Sequence, residues 1–374
     1  MTHDPELTAS LPERLTAARA RVAAAGLDAL LVTPGPDLRY LTGYDAIALE
    51  RLTCLVVPAD GDPSIVVPTL ERPAALASPV GSLGLAVHAW DETDDPYRLV
   101  ARLLPNAGAV ALDDHMWASK VLALRDAMPA TDQRAGGQVL RELRMRKSPA
   151  EVAALRAAGA AIDAVHAQVP QWLKPGRTEA EVGRDIADAI VATGHATVDF
   201  TIVAAGPDGA SPHHELSDRV IRAGEPVVVD IGGTMPSGYC SDSTRTYAVG
   251  DPGADFLALY QVLQAAQEAG CDWVRPGVSA ASVDAAARDV IDAAGYGDLF
   301  VHRTGHGIGL ETHEDPYVVA GNDTPLEPGM AFSIEPGIYV EGRHGARIED
   351  IVVVTDDGVE RLNLSPRELV VLEV

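Results

Sequence analysis

Cysteine, lysine and long apolar runs are all scarce in this chain of 374 residues. The three cysteines, Cys54, Cys240 and Cys271, are odd in number and unpatterned. They indicate neither a disulfide framework nor a thiolate zinc site, and a reducing cytoplasm fits. Lysine occurs only as Lys120, Lys147 and Lys174, so arginine supplies nearly all the positive charge. With the abundant alanine this reads as coding bias and carries no functional message. The formal net charge of −25 implies an acidic, solvated surface and argues against nucleic acid or an anionic membrane as partner. No run reaches the roughly 18 apolar residues of a membrane span. The first residues, MTHDPELTASLPER, lack a basic region followed by an apolar stretch. The expectation is a soluble protein that is not exported.

What is present is enough apolar material, 47% of residues, to fill two cores, and the length suggests two domains. Helical spacing over Leu11 to Ala25 follows a candidate N-cap at Ser10, with Gly26 where a C-cap would fall. Short apolar runs at Ala29 to Val32, Leu55 to Val57, Ser64 to Val67, Gly84 to Val87 and Ala109 to Leu112 read as strands between turns. They predict an α/β layer over residues 1–140, in which His3, His88 and His115 are scattered without a recurring acid pattern and read as surface or core histidines. The second domain, residues 141–374, opens on the basic run RELRMRK. Ser148, Pro149 and Glu151 then form a capping box with proline at the first helical position. Helices are predicted near Glu151 to Val169, Glu179 to Thr193, Phe256 to Val274 and Ala281 to Ala294. Strands are predicted near Val198 to Ala204, Pro226 to Ile231, Ala331 to Ile334 and Ile351 to Val354, which makes this half α+β.

The chain is organised around Val227 to Thr246, VVVDIGGTMPSGYCSDSTRT. A run of valines carries Asp230 into the interior, and a glycine-rich turn could return Asp242 beside it. Two ionised carboxylates sharing a site need a proton or a cation between them. Acids in a glycine-rich turn can also simply accept backbone N–H bonds. Downstream come Gly305-His306-Gly307, Ser333-Ile334-Glu335-Pro336-Gly337 and Arg347-Ile348-Glu349-Asp350. Each sets a histidine or an acid at a strand edge or in a glycine turn, and glycines beside His306 allow close backbone approach. A set of two Asp, two Glu and one His suits Mn²⁺, Co²⁺, Fe²⁺ or Zn²⁺. Four carboxylates exceed the needs of one divalent ion. Two ions about 3.5 to 4 Å apart, bridged by carboxylates and one water, would balance the charge and turn that water into a nucleophile.

The order Asp230, Asp242, His306, Glu335, Glu349, in the strings DIGG, SDSTRT, GHGIG, IEPG and RIED, resembles the pita-bread metallopeptidases, which include methionine aminopeptidase, aminopeptidase P and Xaa-Pro dipeptidase. The likeness covers residue 148 to the end. The first half resembles the creatinase-like N-terminal domain of prolidases and aminopeptidase P, which methionine aminopeptidases usually lack. The resemblance implies that these five residues hold two divalent ions, with Asp242 and Glu349 bridging. It implies that His213 lies near the substrate, that His313 binds the scissile peptide, and that Glu335 doubles as proton shuttle. Arg347 would pair with an acid beside the ions or with a substrate carboxylate. His166, His195, His302 and His344 match no ligand position and read as structural.

Two departures stand out. The first pair of acids is 12 apart, from 230 to 242, where many relatives have eleven, which implies an extra residue in the turn around Met235, Pro236 and Ser237. Some prolidases carry an arginine after the His-Glu-x-Pro string to hold the dipeptide carboxylate, whereas His313-Glu314-Asp315-Pro316 is followed here by Tyr317. The reading is a cytoplasmic peptidase, expected as a homodimer, hydrolysing the Xaa-Pro bond of small peptides with proline second. The alternatives are aminopeptidase P action on longer Xaa-Pro-Yaa peptides, or a non-catalytic binding module on the same fold.

Overall fold

The computed structural model describes residues 4–374; His3 lies outside them. The chain divides into two compact units, Met1–Arg144 and Met145–Val374. No helix among the described residues is long and apolar enough to cross a membrane.

The first unit is a six-stranded mixed sheet of β1 (Ala29–Val32), β2 (Cys54–Pro58), β3 (Ser64–Pro68), β4 (Ala86–Trp90), β5 (Ala109–Leu112) and β6 (Asp132–Ala135), in the order β4-β3-β2-β1-β5-β6. Strands β1 to β3 run antiparallel in sequence, while β3 with β4, β1 with β5 and β5 with β6 are parallel. Leu31, Val56, Val66 and Leu112 pack with Val100 and Leu124 of the helices Pro96–Leu103 and Ala118–Ala127. Those two helices and β6 have no counterpart in the sequence reading. β6 is mostly exposed, so it lacks the apolar signal of a strand. Ser10 precedes the helix Leu11–Ala24 but does not cap it. Its hydroxyl donates to the Leu7 carbonyl, because the short helix Pro5–Ala9 already leads into the next one. His88 lies half-buried on β4 and His115 is exposed.

The second unit opens with the capping box of the helix Pro149–His166, in which Ser148 and Glu151 bond reciprocally. One sheet contains β7 (Thr197–Ala205), β8 (Glu225–Thr234), β9 (Cys240–Val249) and β17 (Val370–Leu372), ordered β17-β9-β8-β7. Val227, Val229 and Ile231 of β8 and Tyr247 and Val249 of β9 face a core shared with Ile162, Val165, Val182 and Ile186. Successive strand residues alternate faces, so Asp230, Asp242, Thr244 and Thr246 share the opposite face. Asp242 pairs with Gly232 and Asp230 with Thr244, which makes the two acids diagonal neighbours. The hairpin turn spans residues 235–239 and closes through Met235 N to Tyr239 O at 2.9 Å.

A second sheet holds β10 (Gly305–Gly307), β11 (Glu314–Val318), β12 (Ala331–Ile334), β15 (Asp350–Val354) and β16 (Val359–Arg361), ordered β11-β10-β12-β15-β16. The hairpin of β13 (Gly337–Val340) and β14 (His344–Arg347) stands beside it. The helices Ala254–Trp273 and Ala280–Ala293 supply Cys271 and Val283 to the core behind Phe332, Ile334, Val352 and Val354. Ile334 pairs with Asp350, so Glu335 and Glu349 leave the ladder side by side.

Candidate functional site

Local structure explains why each acid or imidazole points where it does. His306 is the middle residue of the three-residue β10, squeezed between β11 and β12. A Cβ at Gly305 would meet the Ser333 carbonyl at 1.9 Å, and one at Gly307 would meet the Asp315 carbonyl at 2.3 Å. The glycines flanking His306 are therefore required by strand approach. The imidazole Nδ1 lies 3.1 Å from the Gly307 carbonyl, which only a protonated nitrogen can satisfy. The bond places a proton on Nδ1 and turns Nε2 toward the acids of the cluster.

The five residues singled out from the sequence converge. Asp230, Asp242, His306 and Glu349 are buried and Glu335 is partly exposed. His306 Nε2 lies 3.1 Å from Glu335 Oε1 and 3.6 Å from Asp242 Oδ2. Three sets, Asp230 with Asp242 and Glu349, His306 with Glu335 and Glu349, and Asp242 with His306 and His313, each bring ligand atoms within 4.8 Å of one another and could hold a metal ion. Two carboxylate oxygens in the cluster, Asp230 Oδ1 and Glu349 Oε1, are buried without a hydrogen-bond partner. Three other oxygens are fixed by the protein. Arg347 Nη2 donates to Asp230 Oδ2 at 2.6 Å, Thr244 Oγ1 donates to Glu349 Oε2 at 2.8 Å and Ser333 Oγ donates to Glu335 Oε1 at 3.0 Å.

The electrostatics follow from this crowding. Burial, then the charges of Glu349, Asp230 and Glu335, push the Asp242 carboxyl well above the usual range. Burial, then Glu335 and Asp230, do the same to Glu349. Burial also pushes Glu335 upward, but its hydrogen bond to His306 and the charges of His306, His302 and Arg347 outweigh that and bring it to about 2. Acids gathered this closely need positive charge or protons between them.

The other residues expected in the site divide. His313 is exposed, with its ring centroid 3.9 Å from that of His306, edge to face. Burial of the ring, then the charge of His306, hold it down at about 4, so the imidazole is neutral at pH 7. His213 is exposed and close enough for its charge to lower both His302 and His313. Its neighbour His214 is tied instead to buried Glu179, with Nε2 2.7 Å from Oε2. Arg347 takes the first of its two expected roles. It is buried and donates to Asp230, to Tyr339 Oη at 2.8 Å and to Thr244 Oγ1 at 3.1 Å.

Sequence reasoning missed Thr244, Tyr339 and the placement of His302. Thr244 lies two residues beyond Asp242 on one strand, so the period of two could have found it. Tyr339 and His302 gave no such signal. His302 Nδ1 donates to the Arg303 carbonyl at 2.7 Å, so Nε2 accepts from Tyr339 Oη at 2.8 Å. The histidine read as structural thus supports the Tyr339–Arg347–Asp230 chain. His166 and His195 are buried and hydrogen-bonded away from the cluster, and His344 packs edge-on against Phe256.

Comparison with known proteins gives a consistent match. Residues 153–356 match the model of metallopeptidase family M24, and residues 14–146 match that of the creatinase/prolidase N-terminal domain. A Mycobacterium tuberculosis protein named probable dipeptidase PepE is 57% identical over 367 residues, 96% of each chain. The Xaa-Pro dipeptidase of Lactobacillus helveticus is 36% identical over 348 residues, 90% of this chain and 93% of the relative. The crystal structure of dipeptidase PepE from Mycobacterium ulcerans superposes with a TM-score of 0.95 at 56% identity, covering 100% of both chains.

Proposed function

We propose, since the chain belongs to metallopeptidase family M24 and is a peptidase, that it hydrolyses Xaa-Pro dipeptides at a centre of two divalent cations held by Asp230, Asp242, His306, Glu335 and Glu349. The observation that carries this reading is the pair of buried, unpartnered oxygens, Asp230 Oδ1 and Glu349 Oε1, within a cluster of acids and one imidazole whose ligand atoms lie within 4.8 Å of one another. Oxygen donors with one imidazole fit Mn²⁺, Co²⁺, Fe²⁺ or Zn²⁺. Bound there, such ions supply a Lewis-acid field that polarises the scissile carbonyl and acidifies a water molecule.

The rest of the chemistry falls to the chain. Glu335 and His306 touch at 3.1 Å, so Glu335 sits where it can take a proton from the attacking water and return it to the proline nitrogen. His313, neutral and exposed beside His306, is placed to donate to the carbonyl oxygen as it gains charge. His213 closes the substrate side. Arg347, held by Tyr339 and Thr244, keeps Asp230 oriented.

The test is hydrolysis of Ala-Pro and Ala-Pro-Ala by chelator-treated protein reconstituted with Mn²⁺, Co²⁺ or Zn²⁺. Ion-dependent cleavage of the dipeptide alone is expected, and Glu335→Gln should lose turnover while retaining its fold and bound ion. Cleavage of the tripeptide would make the protein an aminopeptidase P. Silence on both with ion bound would end the peptidase assignment.

A further inference from the structure

Building on that dipeptidase reading, we infer that Arg303, lying on the ring of Tyr317, receives the free C-terminal carboxylate of the substrate and so selects dipeptides over longer chains.

In an Xaa-Pro dipeptide the residue after the scissile bond carries the terminal carboxylate. That charge must settle beside an already acidic cluster, where it is costly unless a cation meets it. The cations near the site are few, and most are committed. Arg347 is buried and directs its donors at Asp230, Tyr339 and Thr244. Arg288 is bound to both oxygens of Asp284 and to the carbonyls of Phe300 and His302. Lys147 is buried against Glu314.

Arg303 is different. It is half-buried, its guanidinium carbon lies 4.3 Å from the Tyr317 ring centroid, and among the described residues no carboxylate pairs with it. The carbonyl of Thr304, the next residue, accepts from Glu335 N at 2.8 Å, so the segment that bears Arg303 runs along the edge of the acidic cluster, beside the part of the site expected to hold the scissile peptide.

The segment that carries it is pinned. Thr304 N donates to the Val318 carbonyl at 3.0 Å, and Thr304 Oγ1 donates to Asp284 Oδ1 at 2.7 Å. Arg288 Nη2 donates to the His302 carbonyl at 2.9 Å, so both neighbours of Arg303 are fixed. Stacking on Tyr317 limits the rotamers of a long side chain before any ligand arrives, and a planar guanidinium can then meet a carboxylate with two parallel donors. The aromatic residue at position 317 thus supports a cation that arrives from position 303.

The experiment compares Ala-Pro with Ala-prolinamide, which lacks the carboxylate, using ion-loaded parent protein and the Arg303→Met, Arg303→Lys and Arg303→Met/Tyr317→Arg variants, each checked by thermal melt. Arg303→Met should cut the acid-to-amide ratio of kcat/KM by on the order of 10- to 100-fold, through KM for the acid and with little change in kcat. Arg303→Lys should fall between, and the double variant should recover part of the loss by returning a guanidinium from the facing strand. An unchanged ratio, or an equal loss on both substrates, would overturn the assignment to Arg303 while leaving the peptidase reading intact. Parent protein inactive on both would sink that reading and this assignment with it.

Discussion

Replacing Arg245 by methionine should destabilise the second unit and loosen the acidic cluster, although Arg245 points away from it. Its five N–H donors all find acceptors. Nε bonds the Pro366 carbonyl at 2.8 Å, and Nη1 bonds the carbonyls of Thr244 at 2.8 Å and Glu349 at 2.6 Å. Nη2 bonds Asp350 Oδ1 at 2.6 Å and the Ser365 carbonyl at 2.8 Å. The side chain therefore ties β9, which carries Asp242, to the start of β15, where Glu349 sits. Asp350 is fully buried, and its Oδ2 keeps Gln267 and Arg361, but Oδ1 would lose the partner that Arg245 supplies. Breaking a buried pair from one side costs about 3–5 kcal/mol. The released carbonyls add to this, while water entering the adjoining cavity of about 270 Å³, lined by His166, Tyr247 and Pro366, offsets part of it. For a unit of this size each kcal/mol moves Tm by about 2–4 °C, so calorimetry should find a fall of roughly 6–20 °C. Arg245→Met/Asp350→Asn, which also removes the stranded charge, should cost less than the two single changes summed, with a coupling of ~1 kcal/mol or more. A single variant within ~1 kcal/mol of the parent, or strict additivity in the double, would refute the argument.

Two further outcomes follow from the same geometry. Mn²⁺ added to chelator-treated protein should stabilise it by about 2.7 kcal/mol at a hundredfold excess over Kd. Asp242→Asn, which removes one of the mutually repelling acids, should match the parent without ion but gain little from it; equal gains in both would count against the cluster as the binding site. His166 is buried, donates from Nε2 to the Ser243 carbonyl and accepts from Tyr247 at Nδ1, and burial pushes its pKa down to about 3 from 6.5. The unfolded chain therefore binds a proton that the folded one refuses between those values. Its contribution is whole above pH 6.5 and shrinks as pH falls, by about 2 kcal/mol at pH 5. Urea melts of parent and His166→Gln from pH 7 to 5 should converge by that amount, and parallel curves would show that the imidazole does not stay neutral.

The sequence by itself determined the elements that local physics dictates. The capping box at Ser148 and Glu151, the buried strand bearing Asp230 and the glycines around His306 were legible, because caps, apolar period and backbone freedom are written in neighbouring residues. Tertiary structure alone decided what depends on distant partners. It turned Arg347 onto Asp230, 117 positions away in sequence, and tied His214 to Glu179. It also brought His302 to Tyr339 and left Asp230 Oδ1 and Glu349 Oε1 without donors. The period of a strand says which face a side chain occupies. Which residue stands opposite it, and whether that residue has a donor to spare, is set only when the two sheets of the second unit close on one another.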